Sequence, residues 1–273
     1  MTEKPDYSID DLLYLMARLR DPQSGCPWDI KQTYASIAPS TIEEAYEVVD
    51  AIEKQDYAHL KEELGDLLFQ VIFYSQIGKE ENRFDFAGVV ADLVAKLVRR
   101  HPHVFPDGSL QSRVENQQSL PADVKQRWEA IKQEERALKG SAGVLADVPV
   151  NLPALTRATK LQKRAASVGF DWDDVQGPIA KVREELLEVE EALSQGDRTA
   201  VEEELGDLLF AVVNISRFLK LDAESALRAA NRKFERRFGY LEEHASAPLP
   251  EAGMDELNRL WNQAKGNQAK SLD

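Results

Sequence analysis

The sequence predicts an all-α protein built from two tandem copies of one helical bundle. Three observations predict it. Apolar residues recur at helical spacing almost throughout, and strand-like alternation between tight turns is scarce. An acidic helical motif also occurs twice, the second copy 141 residues after the first (Glu43 to Glu184).

The elements follow in chain order. The opening MTEKPDYSIDDLL is acidic and polar, without the basic-then-apolar order of a signal peptide. No apolar run approaches the length of a membrane span, so a cytoplasmic protein with no membrane partner is expected. Asp21-Pro22-Gln23-Ser24-Gly25 reads as a turn before Cys26-Pro27-Trp28-Asp29. Cys26 is the sole cysteine, which excludes an internal disulfide and a thiolate metal cage. It reads as a partly buried small side chain. TIEEAYEVVDAI at 41–52 reads as a helix, and Ser40-x-x-Glu43 fits a capping box at its start.

From Leu60, the residues Leu60, Leu64, Leu67, Leu68, Val71 and Ile72 form one apolar helical stripe. His101-Pro102-His103 resembles a metal pair, but proline breaks the helix such a pair needs, and a turn is expected. Residues 102–121, rich in Ser, Gln, Asn and Pro, read as a long exposed loop. Lys139-Gly140-Ser141-Ala142-Gly143, with Pro149 and Pro153 beyond, marks a linker. The expected organisation is a first helical domain at 1–138, a linker at 139–152 and a second domain at 153–273. In the second domain Val201, Leu205, Leu208, Leu209, Val212 and Val213 repeat the apolar stripe, and 245–253 repeats the loop character.

Charge narrows the function classes. The formal net charge is −14, and an acidic surface repels phosphate backbones, which argues against nucleic-acid binding. A small phosphorylated substrate held through a metal ion stays compatible with it.

The duplicated acids carry the chemistry. Glu43, Glu44, Glu47, Glu63 and Asp66 map with one offset onto Glu184, Glu185, Glu188, Glu204 and Asp207. Glu185 and Glu188 share a helix face, as do Glu204 and Asp207 on the following helix. Ser194-Gln195-Gly196-Asp197 supplies a helix stop at Gly196 and an N-cap at Asp197. So short a connection favours antiparallel neighbours, which brings the four carboxylates together. Like charges so arranged make sense mainly around a cation, and oxygen-only ligation points to Mg²⁺ or Mn²⁺. A single ExxE is more often a solvated helix face, but five acids repeated at fixed spacing shift the balance to a site. Gly65 and Gly206 sit inside strongly helical runs, each costing roughly 1 kcal/mol against alanine. Close helix approach is the simplest reason for them.

A basic cluster also recurs. Lys96, Arg99 and Arg100 match Lys233, Arg236 and Arg237, a set suited to polyphosphate oxygens. Trp128 and Lys132 match Trp261 and Lys265. Trp261 either stacks on a base or closes the core. No Walker-type glycine loop is present.

Glu-Glu-x-x-Glu followed by Glu-x-x-Asp resembles the MazG nucleoside triphosphate pyrophosphohydrolases. GCPWD at 25–29, EEAYEV at 43–48, ELGDLLFQV at 63–71, RRHPHVF at 99–105, VGFDW at 168–172 and KFERRF at 233–238 extend the resemblance across both halves. It implies Mg²⁺-dependent cleavage of nucleoside triphosphates, ribo and deoxy, to the monophosphate and pyrophosphate. It also implies a homodimer with helices packed across subunits. By resemblance Glu185, Glu188, Glu204 and Asp207 are metal ligands, and Lys181, Lys233, Arg236, Arg237 and Trp261 contact the nucleotide. Glu184 is assigned to the attacking water, as general base or orienter.

The two copies differ around these acids. Lys181, Asn214 and Asn231 are matched by Ser40, Phe73 and Val94, each change removing a polar or charged group from the first copy. The second copy is therefore expected to work, and the first (Glu44, Glu47, Glu63, Asp66) to be weaker or structural. Two other readings stand beside this one: a narrower, dUTPase-like hydrolase of the same fold, and a non-catalytic helical regulator. A solvated face gives the second of these no reason for fixed acidic spacing.

Overall fold

A computed structural model of the chain describes residues 6–113 and 143–269, together with 124, 127, 128, 130–132 and 135. Every regular element among the described residues is a helix, as expected. None of the described helices is long and apolar enough to cross a membrane. The chain divides into two compact units, Met1–Glu134 and Glu135–Asp273, so residues 139–152 fall at the start of the second.

The first unit begins with α1 (Ile9–Leu19), whose N-cap Ser8 forms a capping box with Asp11. The expected turn follows: Asp21 Oδ1 accepts from the backbone N–H groups of Gln23 and Ser24. A short α2 (Pro27–Ile30) leads to α3 (Tyr34–Glu53), α4 (Tyr57–Glu80) and α5 (Phe86–Arg100). Helices α3 and α4 pair as a hairpin, and α1 packs on α4. Met16, Ile37, Ile72, Phe73 and Ile77 make the core. Arg20 is buried against it, forking to Glu80 at 2.7 Å and donating to the Asp29 carbonyl at 2.6 Å. That pairing fastens the GCPWD turn to the end of α4 and holds the Glu80 carboxyl below its ordinary range.

One expected cap is corrected. Ser40 does not begin a helix, because α3 starts earlier, at a capping box formed by Thr33 and Ser36, and runs through Pro39. Glu43 therefore has no capping role and lies exposed on the helix. The loop from 102 onward is turn-like as far as 113, and the rest of that stretch lies outside the described residues.

In the second unit residues 143–150 fold as turns. Val148 is buried, and Arg164 donates to the carbonyls of Val144 and Ala146. Then come α6 (Ala154–Ala166), α7 (Gln176–Gln195), α8 (Arg198–Phe218), α9 (Ala223–His244) and α10 (Met254–Ala269). The α7–α8 connection forms as the sequence requires. Gly196 caps α7 in the left-handed region at φ 71°, and Asp197 accepts from the N–H groups of Thr199 and Ala200. Helices α7 and α8 make the closest pairing in the unit, α6 packs on α8, and α9 packs on α10 and α6.

The apolar stripes do not close inside their units. Ile72 is buried, but Leu64, Leu68 and Val71 are exposed. Leu205, Leu209 and Val212 repeat that exposed i, i+4, i+7 row in the second unit. The close approach expected at Gly65 and Gly206 is absent too: a Cβ at either position meets nothing within 4 Å. Both glycines are exposed and neighbour the same uncovered row.

Candidate metal centre

In the second unit α7 supplies Glu185 and Glu188, and α8 supplies Glu204. One carboxylate oxygen from each lies within 4.8 Å of the others. The three-residue step stacks the first two on one helix face, and the tight connection returns α8 alongside them. Glu185 is buried, while Glu188 and Glu204 are half-buried. Asp207 is exposed and lies outside that group. In the first unit Glu44 of α3 meets Glu63 and Asp66 of α4 within the same 4.8 Å. There the member outside the group is Glu47, which still hydrogen-bonds to Glu63.

Electrostatics bears out the crowding. Burial, then the hydrogen bond and charge of Glu185, push the Glu188 carboxyl above its ordinary value. Burial likewise raises Glu44, with Asp66, Glu47 and Glu63 adding to it. Glu63 is raised by burial, against the opposing pull of His59. In each cluster, crowded carboxylates therefore favour positive charge among them. An all-oxygen set of this density fits a hard divalent ion.

The basic side chains beside the two clusters come from different helices. In the second unit Lys181, one turn before Glu185 on α7, reaches Glu184 at 2.7 Å and Glu185 at 2.6 Å. Those two bonds hold its ammonium above the ordinary lysine value. In the first unit Ser40 stands in its place, and His59 of α4 sits 3.1 Å from Glu63. Ala200 corresponds to His59.

Helix α9 carries Lys233 and Arg236 exposed and Arg237 half-buried. The Arg237 guanidinium lies 5.8 Å from the ring centre of Trp261, which packs on Phe234 at 5.4 Å. Trp261 is therefore tied to the basic cluster across the α9–α10 pair. Asn231 is exposed on the same helix. In the first unit Lys132 covers the Trp128 ring at 3.6 Å. His101 and His103 lie in a turn, with their rings 5.6 Å apart.

Sequence reading missed one group. Arg217 donates to Asp171 Oδ2 at 3.0 Å and to Asn214 Oδ1 at 2.7 Å, which pins the VGFDW turn to α8. The Arg217 bonds hold the Asp171 carboxyl below its ordinary value. A signal existed, since Asn214 and Arg217 stand against Phe73 and Gln76 in the first copy.

Comparison with known proteins matches these features to one family. The model of the MazG nucleotide pyrophosphohydrolase domain matches residues 32–105 and again 175–240. The nucleoside triphosphate pyrophosphohydrolase of Escherichia coli (strain K12) is 51% identical over 262 residues, covering 94% of this chain and 97% of that protein. The nucleoside triphosphate pyrophosphohydrolase/pyrophosphatase MazG of Thermotoga maritima is 43% identical, covering 94% and 96%. A nucleoside triphosphate pyrophosphohydrolase of Mycolicibacterium smegmatis is 29% identical over 98% of this chain and 74% of its own length.

Proposed function

The chain belongs to the MazG nucleotide pyrophosphohydrolase family, and from that premise we propose that its second unit holds the working site. The protein is a hydrolase that cleaves nucleoside triphosphates to the monophosphate and pyrophosphate. The observation that carries the assignment is the three-carboxylate cluster with Lys181 bonded into it.

Glu185, Glu188 and Glu204, with Asp207 beside them on α8, would hold Mg²⁺ or Mn²⁺. A divalent ion bound there would supply positive charge to offset that of the polyphosphate. Lys233, Arg236 and Arg237 bind phosphate oxygens, and Trp261 shields that contact on one side. Glu184 accepts the proton of the attacking water. Its carboxylate is exposed and bonded to Lys181, which orients it until substrate arrives. Lys181 then turns to the phosphate, releasing Glu184 for that role. The first unit keeps the carboxylates without this lysine and acts as a structural copy, joined by a linker at 139–152.

The working form is a homodimer in the cytoplasm. The rows Leu205, Leu209, Val212 and Leu64, Leu68, Val71 supply the uncovered apolar surface that a helix-packed dimer requires. The test of the activity is pyrophosphate release from mixed ribo- and deoxynucleoside triphosphates, with and without Mg²⁺. Release only with the metal is expected. Metal-independent release, or none from any nucleotide, overturns the proposal.

A further inference from the structure

The acid cluster of the first unit has neighbours that the second unit lacks. His59 and Gln70 of α4 stand where the second unit has Ala200 and Ala211. Neither belongs to the repeated acids. Asp56 caps α4 and accepts from the His59 N–H at 3.1 Å, which sets His59 in the first turn of that helix. Glu63 follows four residues later on the same face, and His59 Nε2 lies 3.1 Å from its carboxylate. Glu63 in turn stands within 4.8 Å of Glu44, from α3, and of Asp66. The His59 ring thus touches the cluster at Glu63, and it is exposed enough to close on an ion held among the acids.

Two ligand atoms that share one metal at about 2.1 Å each lie roughly 3 Å apart, so the His59–Glu63 spacing is already that of a coordination edge. A His–Glu contact across one helical turn is by itself an ordinary surface pair, and three acids are by themselves an ordinary helix face. A buried atom outside both groups points further. Gln70 is only 6% exposed, and its Oε1 atom is buried without a hydrogen-bond partner. It lies seven residues beyond Glu63 and four beyond Asp66, on their face of α4. Helical side chains lean toward the N-terminus of their helix, so Gln70 leans toward the cluster. An amide oxygen only accepts, and what satisfies it beside carboxylates is a cation or a water carried by one.

This donor set differs in kind from the oxygen-only set of the second unit. Imidazole suits zinc, copper, iron and nickel, whereas carboxylates alone suit magnesium and manganese. A neutral imidazole offers its Nε2 lone pair when the proton sits on Nδ1, and the Glu62 carboxylate 3.8 Å from Nδ1 favours that tautomer. We infer that the first unit binds a divalent transition ion of the zinc class through His59, Glu63, Glu44 and Asp66, with Gln70 Oε1 satisfied by the ion or by a water on it. Glu44 comes from α3 and the other groups from α4, so the ion clamps the hairpin and takes no part in hydrolysis. The inference stands independently of the reading of the second unit.

The test is calorimetric titration of Zn²⁺ into the full chain, with Mg²⁺ in large excess to occupy the oxygen-only site. Binding of one Zn²⁺ per chain is expected. His59→Ala should weaken it about a hundredfold, and Gln70→Leu about tenfold, the loss expected for a partner behind the ligands. Neither substitution should change pyrophosphate release measured with Mg²⁺ alone. No heat beyond dilution, or an affinity unchanged in either folded variant, overturns the inference and leaves the hydrolytic reading standing. If circular dichroism shows Gln70→Leu unfolded, His59→Ala at the surface decides alone.

Discussion

The two hairpins α3–α4 and α7–α8 carry the same five acids, yet they spend their surroundings differently. In the first hairpin Phe73 fills the core beside Met16 and Ile72, and the uncharged Ser40 stands where Lys181 stands in the second. In the second hairpin the same positions hold Asn214 and Lys181, each hydrogen-bonded. Carboxylate spacing is a property of the scaffold, set by helix period and one tight turn. Chemistry depends on what stands beside the carboxylates.

The largest effect that sharpens this contrast is on stability. Phe73→Ala removes a fully buried ring and should cost about 3–5 kcal/mol in urea unfolding, whereas Asn214→Ala should cost less than half of that. Equal losses would mean that both positions serve packing. Next comes assembly. Leu209 is 53% exposed in its own unit, so Leu209→Glu should leave the unit folded but convert a dimer to monomer by light scattering. A dimer of unchanged mass would show that the uncovered row has another use.

A smaller effect is expected from metal. Saturating Mg²⁺ at about a hundred times its dissociation constant should raise stability by about 2.7 kcal/mol through binding to the native state. Glu188→Ala should remove most of that gain. The smallest effect is on pH dependence without metal. Glu188 is raised in the folded state, so the native protein binds its proton more readily than the unfolded chain. Stability is then fully present below the ordinary glutamate value and falls as pH rises through the raised one. Glu188→Gln should flatten that fall in thermal melts recorded across mildly acidic pH, and an unchanged slope would place its origin elsewhere.

Much of the fold was legible in the sequence because it depends on local rules. The helical period, the Gly196 stop and the Asp197 cap are all read within a few residues, and the structure forms each of them. The carboxylates were legible because they repeat. The start of α3 was not, since Ser40 and Glu43 satisfy the same pattern as the true box at Thr33 and Ser36, and a helix that passes Pro39 defeats the usual stop signal. The apolar stripe was legible in the sequence, but periodicity shows which face is apolar and not what covers it. The bond from Gln162 to the Phe210 carbonyl, 48 residues away, was not legible, because no local pattern encodes it.

One paired measurement bears most directly on whether a single copy of the duplicated scaffold is at work. Glu188→Ala and Glu47→Ala remove the same residue from the two hairpins, and each is assayed for pyrophosphate release with Mg²⁺. If the second unit holds the site, Glu188→Ala lowers kcat/KM by about a thousandfold or more, while Glu47→Ala stays within about threefold of the unaltered chain. Equal losses from the two substitutions, or the larger loss from Glu47→Ala, would contradict it.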